Sequence, residues 1–87
     1  MQTTIEISNY PLTEAYEDQI LDFIERVRSH AEIQVKVNAT STHITGPFDT
    51  VFELLQQEIR ASYEKYGQMI FVIKVLKGAL DLSFELK

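Results

Sequence analysis

From Thr3 to Tyr10 apolar and polar residues alternate, with Ile5 and Ile7 on one face and Glu6, Ser8 and Tyr10 on the other. A period of two predicts a strand with one buried face. Asn9-Tyr10-Pro11 ends it, because proline removes a ladder donor and restricts the residue before it. The period then changes. Tyr16, Ile20, Phe23, Ile24, Val27 and Ala31 recur at spacings of three and four, the stripe of an amphipathic helix. Thr13 is placed to cap that helix, Glu14, Glu17 and Asp18 suit its positive end, and Arg26, Arg28 and His30 suit its negative end.

Alternation returns at Ile33, Val35 and Val37. Asn38-Ala39-Thr40 reads as a turn, and Ser41 to Thr45 as a Thr-rich strand stopped by Gly46-Pro47, so the two strands form a hairpin. A second helix starts at Asp49 or Thr50, carries Phe52, Leu55, Ile59, Tyr63 and Tyr66 as its stripe, and ends at Gly67. Gln68 to Leu76 is almost continuously apolar, the pattern of a strand buried on both faces. Past Lys77-Gly78-Ala79, Leu80, Leu82, Phe84 and Leu86 alternate with Asp81, Ser83 and Glu85 and predict a short fifth strand.

The order β-α-β-β-α-β with an added C-terminal strand predicts an α+β fold. Right-handed crossovers give a ferredoxin-like sandwich, two helices on one face of an antiparallel sheet, with residues 1–87 as a single domain. Such a sheet leaves its second face bare. The fourth strand is apolar in both registers and the fifth adds an apolar row, so a homo-oligomer, dimer or tetramer, is expected through the sheet face or edge strand.

Composition narrows the class. Eighty-seven residues hold one core, and 45% apolar with 24% charged residues is globular. The absence of cysteine excludes disulfides and thiolate metal sites. A net charge of -5 with dispersed basic residues is the wrong sign for a nucleic-acid partner. Met1 to Tyr10 lacks the pattern of a signal peptide, and the longest apolar run, Met69 to Ile73, is too short for a membrane partner. A soluble, cytoplasmic protein is expected.

Candidate chemistry is sparse. His30 and His43 have no second histidine or cysteine at ligand spacing, which points to structural or surface roles and no metal. Glu14, Glu17 and Asp18 are accounted for as a solvated first helical turn. No phosphate loop, nucleophile elbow, metalloprotease signature or cofactor motif occurs, so no enzyme is expected. Thr40 to Gly46 concentrates hydroxyls. A β-prone strand explains that composition, and a rim of donors and acceptors for a small polar ligand is the functional alternative. Tyr10 is either an aromatic wall of such a site or a core residue beside a turn.

Tyr10-Pro11-Leu12, Thr42-x-Ile44-x-Gly46 and Val51-Phe52-x-x-Leu55, in this order and at these separations, resemble the Ykof-type thiamin/hydroxymethylpyrimidine-binding family and its single-domain relatives. The similarity spans about Ile5 to Gly78. The resemblance implies a ferredoxin-like domain that pairs its sheets and binds thiamin or its pyrimidine without transforming it, with Tyr10 and the Thr42 hydroxyl near the ligand. Ser41 and Asn38 join these as ligand-binding candidates, because an aminopyrimidine needs matched donors and acceptors on one edge. Some positions depart from the family pattern. Gln68 stands where the family has a histidine, Lys74-Val75-Leu76-Lys77 precedes Gly78 where hydroxyl residues are usual, and Thr13 replaces a common glycine.

The functional expectation is a non-enzymatic small-molecule binding protein. The alternative is a protein–protein assembly module of the same fold with no small ligand. An oxygenase of related architecture ranks last, because only His43 could serve it.

Overall fold

Ile5 and Ile7 of β1 (Gln2–Pro11) lie opposite Ile44 and Thr42 of β3 (Thr42–Pro47), so the alternation read from the sequence becomes one buried face of a sheet. The computed structural model describes residues 1–83. β2 (Gln34–Val37) flanks β3, and β4 (Met69–Lys77) flanks β1. The sheet order is β2-β3-β1-β4 and every neighbouring pair is antiparallel. Two helices, α1 (Tyr16–Arg28) and α2 (Phe48–Tyr66), cover one face. This is the ferredoxin-like arrangement.

The core lies between the layers. Ile5, Ile7 and Ile44 from the sheet meet Phe23 and Val27 from α1 and Val51, Leu54 and Leu55 from α2, and all eight are buried. Glycine at position 46 lets the chain at Glu32 and Ile33 approach closely. A Cβ there would stand 3.0 Å from both the Glu32 carbonyl oxygen and Ile33 Cγ2.

Between the two helices, Arg26 ties α1 to α2. Its guanidinium donates to the Glu58 carboxylate at 2.8 Å, the Glu58 carbonyl at 3.0 Å, Ser62 Oγ at 2.7 Å and Asp22 at 3.2 Å. His30 Nε2 lies 2.6 Å from the second oxygen of Glu58, and Tyr66 donates to Asp22 at 2.9 Å.

Several boundaries differ from the sequence expectation, each for a local reason. Thr13 does not cap α1. Its hydroxyl accepts from Gln19 Nε2 at 2.9 Å, and the helix begins at Tyr16 behind Ala15. The helix ends at Arg28, leaving Ala31 exposed beyond it. Gly46-Pro47 does not stop β3; Pro47 is its last residue, opposite Gln2, and α2 follows at once with Phe48 N–H bonded to the Met1 carbonyl.

The largest correction concerns β4. It is not buried on both faces but forms the sheet edge, where Val72 and Val75 on opposite faces are 51% and 52% exposed. A continuous apolar run marks a strand without polar duty on either face, and burial needs neighbours that this edge lacks among the described residues.

The fifth strand is also revised. Gly78 N–H extends the ladder to the Gln2 carbonyl, after which the chain folds over Thr4. The Leu80 N–H donates to Thr4 Oγ1 at 3.0 Å and the Gly78 carbonyl lies 2.9 Å from the same hydroxyl. Leu82 and Ser83 form a turn in which Asp81 accepts from the Ser83 amide and hydroxyl. Leu80 to Ser83 therefore belong to no strand, and Phe84 and Leu86 lie outside the described residues. Among the described residues, no helix is long and apolar enough to cross a membrane.

Candidate functional site

β1 outruns β3. Its pairing with β3 ends at Ile7 opposite Thr42, whereas its pairing with β4 continues to Pro11 opposite Met69. Among the described residues, the strand therefore has a neighbour on one side only over Ser8 to Pro11. The β2–β3 turn closes part of this notch, with the Asn38 N–H bonded to the Ser41 carbonyl at 2.8 Å, and α1 roofs it. What remains is a pocket of about 540 Å³, within the ordinary size range of small-molecule sites.

Its walls are mostly apolar. Tyr16, Ile20, Phe23 and Ile24 enter from α1 at spacings of three and four, so one helix face supplies both core and pocket wall. Ile7 and Val37 close the sheet side. Polar atoms come from the strand ends. Thr42 is 5% exposed and shares the helix-facing register of Ile7, while Ser41 and Asn38 come from the turn. All four residues singled out from the sequence border this one pocket. Tyr10 does so from the rim, being 52% exposed and in the opposite register to Asn9.

Asn9, which the sequence presents only as part of the segment that ends the first strand, carries a further role. It faces the helix layer beside Ile7 and opposite Phe71, and it lines the pocket. Its Oδ1 and Nδ2 are both buried, and neither has a hydrogen-bond partner among the described residues. Leaving a buried amide unpaired costs about 1–3 kcal/mol. The available signal was its place in the alternation. Asn9 continues the Ile5, Ile7 register, where a third apolar residue would suit a pure core.

Asn38 also reaches the far face of the sheet. Its Nδ2 donates to His43 Nδ1 at 2.8 Å, which leaves the His43 Nε2 side to meet the Glu6 carboxylate at 3.0 Å. Lys74 stands 3.4 Å from the other Glu6 oxygen. His43 thus holds the pocket turn from the side opposite the pocket.

The sequence profile of the YKOF-related family matches residues 2–76, and the chain belongs to that family. No match was found among curated proteins. Among solved structures, a Thermotoga maritima protein provisionally named for thiamine biosynthesis/salvage superposes with a TM-score of 0.78 at 17% identity, over 86% of this chain and 82% of that one. A Streptococcus pneumoniae protein gives a TM-score of 0.82 at 18% identity, over 92% and 90% of the two chains. A Bacillus cereus domain of unknown function gives 0.74 at 20% identity, over 100% and 83%. At these identities the likeness shows the shared fold.

Proposed function

We propose that this YKOF-related chain is a non-enzymatic, cytoplasmic binding protein that takes the aminopyrimidine of thiamin, or free hydroxymethylpyrimidine, into the pocket beneath α1. The observation that carries this reading is the unpaired amide of Asn9. An aminopyrimidine presents an exocyclic N–H donor beside a ring-nitrogen acceptor, and a carboxamide offers the matching acceptor and donor. Thr42 and Ser41 add hydroxyls, and Tyr10 and Tyr16, both half-exposed, offer aromatic surface to a flat ring. The family and the name of the Thermotoga maritima protein support the thiamin-related class.

Among the described residues, the lining side chains include no carboxylate, imidazole or thiol that could transfer a proton or attack a substrate. That composition suits binding without transformation. Calorimetry with thiamin and with hydroxymethylpyrimidine tests the reading, together with the melting shift that a ligand specific for the folded state must produce. Heat and a shift that disappear in Thr42→Val are the expected result. No heat and no shift with either compound would overturn it.

The reading includes self-association as a dimer or tetramer. Ile70, Val72 and Leu76 lie exposed on the uncovered face of β4, and Ile73 and Val75 are exposed on the other. The alternative, an assembly module without a small ligand, rests on this strand alone and leaves Asn9 unexplained.

A further inference from the structure

We infer that the pocket selects the unphosphorylated form of its ligand and rejects the phosphate ester. This rests on the pyrimidine reading above and concerns which member of that ligand class is taken.

Two independent features point the same way. First, among the described residues every one that lines the pocket is uncharged, and the Asn9 amide, whose Oδ1 and Nδ2 are both buried without a partner, is neutral. A phosphate carried inward would lose its hydration without meeting a lysine or arginine, and an unpaired charge is the costliest group to bury. Second, the position where a phosphate would ordinarily be welcome is already negative. Tyr16 and Ile20 of α1 line the pocket, so the amino end of that helix stands at its mouth. Free amides at a helix start attract anions. Here Glu14 precedes the helix and Glu17 and Asp18 occupy its first turn, all three exposed. Their carboxylates offset the helix dipole and repel an approaching dianion. The net charge of -5 works in the same direction at longer range.

A neutral ring bearing a free hydroxymethyl group meets none of these penalties. The chain would therefore hold the free alcohol, the form that a phosphoryl-transfer reaction consumes.

The test is calorimetry on the intact protein at low salt with four probes: hydroxymethylpyrimidine, its monophosphate, thiamin and thiamin monophosphate. Each ester should bind at least about tenfold more weakly than its parent alcohol. The exposed triple variant Glu14→Gln/Glu17→Gln/Asp18→Asn should narrow that ratio while leaving the affinity for neutral hydroxymethylpyrimidine unchanged. Esters that bind as tightly as the alcohols would overturn the inference, as would a ratio unmoved by the triple variant. Silence from all four probes would instead overturn the pyrimidine reading, and the selectivity with it.

Discussion

Arg26 on α1 donates to the buried carboxylate of Glu58 on α2 at 2.8 Å, and the same guanidinium reaches Ser62 one turn further along. Glu58 is 5% exposed, and its carboxylate oxygens are met by this guanidinium and by His30. Arg26→Ala removes the hub and leaves Glu58 with one neighbour. Breaking a fully buried pair costs about 3–5 kcal/mol. Arg26 keeps 23% exposure, so a loss of about 2–3 kcal/mol is expected, read as a lower urea midpoint at unchanged slope.

Asp22 sets an acid limit on the same helix pair. Burial acts to raise its pKa, but the Tyr66 hydroxyl and the cations Arg26 and Lys65 outweigh it and hold the carboxyl below its ordinary value. A depressed folded-state pKa contributes stability above the unfolded value of about 3.9, and that contribution is lost as pH falls through the folded one. Asp22→Asn should therefore destabilise the protein at pH 7, and the difference from the parent should shrink as pH falls below about 3.9 and through the folded-state pKa. Urea melts across that window check the convergence.

Asn9→Leu should separate binding from stability. Replacing an unpaired buried amide by an apolar group of similar size is expected to be neutral or stabilising. The same change removes both hydrogen-bonding atoms offered to a pyrimidine, and ligand affinity should fall by at least about tenfold. A variant that melts no lower than the parent yet gives no ligand-induced shift is the expected pair of results.

Gly46→Ala tests the close approach of β3 to the chain at Glu32 and Ile33. The added methyl would meet the Glu32 carbonyl and Ile33 at 3.0 Å, and Glu32 already holds a positive φ of 68°. Backbone and a partly buried neighbour cannot yield freely. A loss of about 1–3 kcal/mol is expected by thermal melting.

Periodicity made the sheet and both helices legible, because Ile5 and Ile7 of the sheet and Phe23 and Val27 of α1 are buried against the opposing layer. The pocket was legible at its turn, where hydroxyls and an amide cluster from Asn38 to Thr42. Asn9 escaped notice because its role depends on β1 continuing past β3, a mismatch of strand lengths that alternation within one strand does not encode. Tyr16 escaped for a related reason: a stripe residue covers core or cavity according to what lies beneath it. The edge position of β4 was hidden because an apolar run reports affinity for burial and not the presence of a neighbour.

That edge gives the last prediction. Val72 is 51% exposed on the uncovered face, flanked by Ile70, with Ser8 across the strand pair, and its side chain packs against no helix. In the isolated chain, Val72→Lys should change stability by no more than about 0.5 kcal/mol, as for other exposed sites. If β4 meets a second copy, the same lysine would be desolvated against apolar surface, and charge on an edge strand opposes pairing. Light scattering at micromolar concentration should then give an oligomeric mass for the parent and a monomeric mass for Val72→Lys, with the two melting alike once diluted to monomer. A monomeric parent would remove self-association from the account. The pocket would be untouched by that result, since its lining comes from α1, β1 and the β2–β3 hairpin and includes no residue of β4.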